Sequence, residues 1–98
     1  MKVELLVDRR EQIAEGAFIE LALWRVPKPV PPATHRFKYR LAYVVNGVCV
    51  VRYDNERGKG DHKHYAGAES LLTFSGPEQL LSDFKADVAR WNHENRNS

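Results

Sequence analysis

Apolar residues recur at every second position through most of the chain and at every third or fourth position only near its end, which predicts strands followed by a helix. Val3, Leu5 and Val7 alternate with Lys2, Glu4 and Leu6, giving a first strand over about residues 2–8. The polar stretch from Asp8 to Gly16 fits a turn, a short helical turn or more strand, and its pattern does not choose among them. From Ala17 to Val26, Ile19, Leu21 and Leu23 point one way and Phe18, Ala22 and Trp24 the other, as in a strand buried on much of both faces. The four prolines of Pro27-Lys28-Pro29-Val30-Pro31-Pro32 then remove ladder donors. They hold the segment near polyproline II, as a stiff connector outside the sheet.

Phe37–Val45, Asn46-Gly47 and Val48–Asn55 form the clearest unit. Asn-Gly supplies the two positive φ values of a type I′ turn, so a tight hairpin is expected. In unbroken register Val45 faces Val48, Tyr43 faces Val50, Leu41 faces Arg52 and Tyr39 faces Asp54, all on one side with Phe37. That side is the expected seat of a helix, and Lys38, Arg40, Ala42, Val44, Cys49, Val51 and Tyr53 are expected on the other. Ser70–Phe74 reads as a further short strand. Ser75 then caps a helix with Pro77 in its first turn and Glu78 three residues on, as in a capping box. Leu80, Leu81, Phe84, Val88 and Trp91 form its apolar stripe, with Asp83, Lys85, Asp87 and Arg90 toward water and a polar tail from His93 to Ser98. The whole reads as one α+β domain over residues 1–98: an antiparallel sheet of about four to five strands, a central Asn-Gly hairpin and one C-terminal helix packed on one face.

Composition narrows the class without changing the picture. A chain of 98 residues, 43% hydrophobic and 29% charged, has room for one core, and a partner or a homodimer contact would add to its modest burial. Cys49 is the only cysteine; an internal disulfide and a four-thiolate metal site are thereby excluded, and it reads as a small buried strand residue. The N-terminal residues lack the apolar core of a secretory signal and no run is long enough for a membrane span, so the expected location is the cytoplasm and no membrane partner is expected. Net charge is +2, but Arg36, Lys38, Arg40, Arg52, Arg57, Lys59 and Lys63 fall together, ahead of Glu69, Glu78, Asp83 and Asp87. The hairpin and its following loop thus form a basic patch suited to an anion.

That loop, Arg57-Gly58-Lys59-Gly60-Asp61-His62-Lys63-His64, holds the candidate chemistry. Gly58 and Gly60 let the backbone turn sharply and approach a phosphate. Cutting RNA without a metal needs a base for the 2′-hydroxyl, an acid for the leaving oxygen and a cation for the phosphorane. His62 and His64, two apart, share a face in extended chain and supply the first two; Asp61 would orient an imidazole. Lys59 would stabilise the reacting phosphate, and Arg40, Arg52, Arg57, Lys63 and Tyr53 would bind substrate. A competing set, His62 and His64 with Asp54 and Asp61, has the donors for Zn²⁺ or Mn²⁺, although interleaved cations oppose it. No cofactor is expected: no phosphate-binding Walker loop occurs, and no nucleophile elbow for acyl transfer.

The runs Phe37-Lys38-Tyr39-Arg40-Leu41, Arg52-Tyr53-Asp54-Asn55-Glu56 and Gly58-Lys59-Gly60-Asp61-His62-Lys63-His64 resemble the TumE family, toxin components of bacterial type II toxin–antitoxin modules. By that resemblance Asp54, Asn55, Glu56, Gly58, Gly60, Asp61, His62 and His64 are motif positions. It implies a cytoplasmic protein neutralised by a cognate antitoxin, commonly one with a helix-turn-helix DNA-binding domain. RNA cleavage follows from the residues and from the company such toxins keep. Three readings stay open at this point: a metal-independent ribonuclease, a non-catalytic module that binds RNA or protein, and a metal-dependent nuclease.

Overall fold

In a computed structural model, which describes residues 2–95, the protein is a six-stranded antiparallel sheet with strands in chain order, backed by one helix. The strands are β1 (Glu4–Ala14), β2 (Ala17–Arg25), β3 (Phe37–Val45), β4 (Val48–Asp54), β5 (His62–Tyr65) and β6 (Ala68–Leu71), and the helix is α1 (Pro77–Glu94). The sheet has six strands rather than the expected four to five, and the one the sequence reading lacked is β5. His62–Tyr65 is strand rather than loop, and β6 starts and ends earlier than the expected Ser70–Phe74 strand. The ambiguous stretch after Asp8 continues the first strand as far as Ala14, where Glu15 and Gly16 turn the chain into β2.

The hairpin between β3 and β4 closes at Asn46 and Gly47, both with positive φ, the backbone that a type I′ turn requires. Its register then departs from the expected one. Val45 pairs with Val48 and Val44 with Cys49, but Tyr43 pairs with Val51, so Val50 is an extra residue in β4. This bulge exchanges the two faces for the rest of the strand. Val51 and Tyr53, expected opposite the helix, join Tyr39, Leu41 and Tyr43 in the buried core. Arg52 and Asp54, expected beneath the helix, move to the other face opposite Ala42 and Arg40. Cys49, expected to be buried, is exposed.

Helix α1 lies over β3 and β4. Leu80, Phe84 and Val88 are buried against Leu21, Leu23, Leu41 and Val51, and the Phe84 ring meets Tyr53 edge-on. Ser75 does not cap the helix: Gly76 is the N-cap, no side chain bonds the first turn, and Pro77 occupies the start, where a missing N–H costs nothing. Asp87 does not face water. It is buried, and accepts hydrogen bonds from the Tyr53 hydroxyl at 2.5 Å and the Lys63 ammonium at 3.0 Å. Tyr65 at the end of β5 reaches the helix end through Glu94 at 2.5 Å; burial first, then this bond, pushes its hydroxyl up to about 12. Of the expected polar tail, His93 and Glu94 complete the helix, and residues 96–98 lie outside the described residues.

Candidate functional site

The face opposite α1 carries two cross-strand rows, and they assemble the site. Strict alternation along each strand places Asp8, Ala22, Arg40, Asp54, His62 and Leu71 in one row. Arg10, Glu20, Ala42, Arg52, His64 and Glu69 form the next. The bulge at Val50 is what brings Arg52 and Asp54 into these rows beside the two histidines. Glu69 arrives from β6, because the Ala66-Gly67 turn sets it directly opposite His64.

Within this cluster the contacts are short. Arg52 donates to His64 Nε2 at 2.9 Å; arginine is donor only, so this nitrogen carries a lone pair and the His64 proton sits on Nδ1. The same guanidinium lies 3.1 Å from Asp54 through Nε. His62 is 3% exposed and gives its Nδ1 proton to the Gly60 carbonyl at 2.9 Å. Its Nε2 stands 2.7 Å from Asp54 Oδ1, yet neither atom makes an aligned hydrogen bond. Glu69 Oε2 is 3.5 Å from His64 Nε2 and 3.7 Å from His62 Nε2. The imidazole rings lie edge to face with centroids 5.4 Å apart. The pair therefore converges, but unequally: the His64 side chain is 29% exposed and His62 only 4%.

An open cleft of about 380 Å³ borders the cluster, lined by Lys59, His62, Glu69, Ser70 and Leu71. Arg40 continues the basic surface past Asp54 toward Trp24. Beyond it a second groove of about 380 Å³ is bordered by Trp24, Lys28, Lys38 and Arg57, with the Lys38 ammonium 5.9 Å from the Trp24 ring. Arg40, Arg52, Arg57 and Lys59 are thus on or beside the open face.

Asp61, Lys63 and Tyr53 are not. Odd-numbered residues of β5 point opposite to His62 and His64, so Lys63 is spent on Asp87. Tyr53 is 1% exposed; burial and then its bond to Asp87 push its hydroxyl well above the usual tyrosine range, making it a permanent donor. Asp61 binds His35 Nε2 at 2.9 Å and the Tyr39 hydroxyl at 2.5 Å, and burial followed by that bond likewise holds the Tyr39 proton. Asp54, rather than Asp61, is the carboxylate beside His62. Asn55 is structural too: buried, it accepts from the Tyr39 N–H and donates to the Phe37 carbonyl, joining the ends of β3 and β4.

Two residues of this arrangement were missed in the sequence. Glu69 could have been found from the Ala66-Gly67 turn, by counting outward to the residue opposite His64. His35, whose Nδ1 accepts from the Phe37 N–H and whose ring stacks on Phe74 at 3.8 Å, carries no local signal.

The motif glycines shape the approach to the site. The Glu56 carbonyl accepts from the Lys59 and Gly60 N–H groups, and the Gly58 N–H donates to the Pro31 carbonyl at 2.8 Å, docking the loop on the proline connector. Gly60 holds φ +74 and a Cβ there would lie 3.1 Å from Pro32. Gly60→Ala is therefore expected to cost about 1–2 kcal/mol, seen as a lower denaturant midpoint, and to loosen His62 because the Gly60 carbonyl is its hydrogen-bond acceptor.

Chemically, the open face offers an unprotonated imidazole nitrogen beside a guanidinium, with lysine at the cleft. For a metal ion, His62, His64 and Glu69 are the set found among the described residues, their ligand atoms lying within 4.8 Å of one another. No helix among them is long and apolar enough to cross a membrane. A family model described as Toxin TumE matches residues 3–92. No curated protein and no solved structure matches the chain.

Proposed function

We propose, from the premise that the chain belongs to the TumE toxin family, that it is the toxin of a type II toxin–antitoxin module and cuts RNA with its own side chains on the open face of the sheet. The observation that carries this is the Arg52–His64 pair: a lone pair on His64 Nε2 and a guanidinium able to hold a phosphate lie 2.9 Å apart, both partly exposed on the open face. RNA supplies the two groups this pair fits, a 2′-hydroxyl and the neighbouring phosphodiester. His64 Nε2 takes the 2′-hydroxyl proton, O2′ attacks phosphorus, and the P–O5′ bond breaks. Arg52, with Lys59 from the cleft, holds the charge that develops on the phosphorane oxygens. The leaving O5′ takes a proton, and the Lys59 ammonium is the donor placed beside the cleft.

His62 has a different part. Buried beside the cleft and held by Gly60, it is a positioning residue whose ring packs edge to face against His64, while Asp54 pairs with Arg52. The pair of equal acid and base histidines read from the sequence thus becomes one reactive ring and one supporting ring.

Single-stranded RNA suits the wider face. Trp24 among Lys28, Lys38 and Arg57 offers a stacking surface flanked by cations. Trp24→Ala is expected to weaken binding of a labelled single-stranded oligonucleotide by about 1–3 kcal/mol, measured by fluorescence anisotropy with a stability-matched protein. Unchanged affinity would remove this track.

The partner implied by family membership is an antitoxin, acting with the toxin in the cytoplasm and bearing a helix-turn-helix domain. Masking a basic site favours acidic or aromatic groups on its toxin-binding segment, laid over the 57–64 loop and the open face. A complex in which the antitoxin sits on the outer surface of α1 and leaves the open face bare would rule out this mode of inhibition. The ribonuclease reading itself is tested with purified toxin and total RNA. Intact RNA beside a toxin that still arrests growth would turn the reading to a binding module.

A further inference from the structure

His62 Nδ1 gives its proton to the Gly60 carbonyl, which leaves Nε2 as the atom turned toward the cluster. That nitrogen is buried and stands 2.7 Å from the buried Oδ1 of Asp54 with no aligned hydrogen bond on either atom. A lone pair on Nε2 held that close to a carboxylate oxygen calls for positive charge beside it, and a proton or a metal ion supplies it equally. A histidine whose outer N–H is anchored on a backbone carbonyl while its other nitrogen points into a polar cluster is the arrangement of a metal-ligating imidazole.

The neighbours supply the rest of a coordination sphere. His64 Nε2 carries a lone pair, engaged by Arg52, and Glu69 Oε2 lies 3.5 Å from it and 3.7 Å from His62 Nε2. A tetrahedron with metal–ligand bonds of about 2.0–2.1 Å has edges of about 3.3 Å, close to the two carboxylate–imidazole separations. All three ligand atoms lie within 4.8 Å of one another. Glu69 is half-exposed at the cleft, giving an ion an entry path. Lys63, which the sequence placed against a cation, is on the covered face. Arg52 contests the site at hydrogen-bond distance, through its bond to His64, and Lys59 borders the same cleft.

We propose that His62, His64 and Glu69 form a binding site for a divalent transition-metal ion, Zn²⁺ or Mn²⁺, and that the ion silences the centre by occupying the His64 lone pair. Imidazole and carboxylate donors suit both ions. The silencing half rests on the ribonuclease reading above; ion binding does not. An occupied His64 cannot take a proton from a 2′-hydroxyl, and its Arg52 partner is displaced, so the ion and the reactive arrangement exclude each other.

The test uses the full chain, freed of metal by chelator, in equilibrium dialysis against Zn²⁺ and separately Mn²⁺ with no RNA present, followed by cleavage assays with and without the ion. Binding of one ion per chain is expected, with affinity falling at least about tenfold in Glu69→Gln and in His64→Gln. It should rise in Arg52→Gln, which removes the competing cation. Cleavage by the parent should fall as the site fills and recover with chelator. No saturable binding, or binding equal in parent and Glu69→Gln, overturns the site whatever the RNA does. Saturable binding that raises cleavage overturns the silencing, and with it the metal-free reaction, while leaving the site intact. Absence of cleavage under all conditions, with binding present, counts against the ribonuclease reading alone.

Discussion

Replacing His64 with alanine is expected to slow RNA cleavage about 10²–10⁴-fold, the usual contribution of one positioned proton-transfer group, and to abolish growth arrest. The ring is half-exposed on an uncovered sheet face, so the change should alter stability by no more than about 0.5 kcal/mol. Asp61→Asn is the informative companion. Had Asp61 oriented the reactive histidine, its loss would cost rate; because it binds His35 and Tyr39 beneath the connector, it should cost stability instead and leave cleavage by the folded fraction near the parental value. A rate loss in Asp61→Asn equal to that in His64→Ala at matched stability would show that both belong to one catalytic unit, contrary to the geometry.

The second large effect lies on the covered face. Asp87→Ala removes the acceptor of the buried Tyr53 hydroxyl and the partner of Lys63. A buried donor without a partner and an uncompensated ammonium together should lower stability by about 2–3 kcal/mol, which in a domain of this size lowers the thermal midpoint by about 10–20 °C. Tyr53→Phe removes only one bond and leaves Asp87 with Lys63, so about 1 kcal/mol is expected. The double variant should be less damaged than the sum, since both changes break the same bond. Calorimetry on the three variants checks this. Additive losses would mean that Tyr53 and Asp87 act independently.

These two predictions also mark where the sequence was legible and where it was not. The hairpin could be read because Asn46-Gly47 supplies a backbone geometry few other pairs allow. The helix could be read because Leu80, Phe84 and Val88 repeat at the spacing of one helical stripe. Both are local signals. The bulge at Val50 has no such mark: no glycine or proline announces it, and the residue that becomes unpaired is as apolar as its neighbours. Yet that one residue turns Arg52 and Asp54 from the helix side to the open side, and so decides which groups can meet the histidines. Asp87 was misread for a related reason. A carboxylate beside an apolar stripe looks solvated until Tyr53 and Lys63 arrive from strands far away in sequence.

The Gly58–His64 run does not lie on one face, and the sequence reading treated it as if it did. The alternation that places His62 and His64 on one face places Asp61 and Lys63 on the other, once the segment is strand. Applied to the whole run, the same rule would have moved Asp61 and Lys63 out of the site. Finding their replacements, Asp54 and Glu69, needed the pairings β4–β5 and β5–β6, which depend on long-range packing rather than on any residue in the loop.

If His64 and Arg52 drive attack by the RNA 2′-hydroxyl, the chemistry of the cut ends reports on that step most directly. Purified toxin in chelator, given an end-labelled RNA and the same sequence with 2′-deoxy residues, should release fragments ending in 2′,3′-cyclic phosphate and beginning with 5′-hydroxyl, and should leave the deoxy strand uncut. Fragments carrying 3′-hydroxyl and 5′-phosphate ends, or cleavage of the deoxy strand at the same rate, would contradict it.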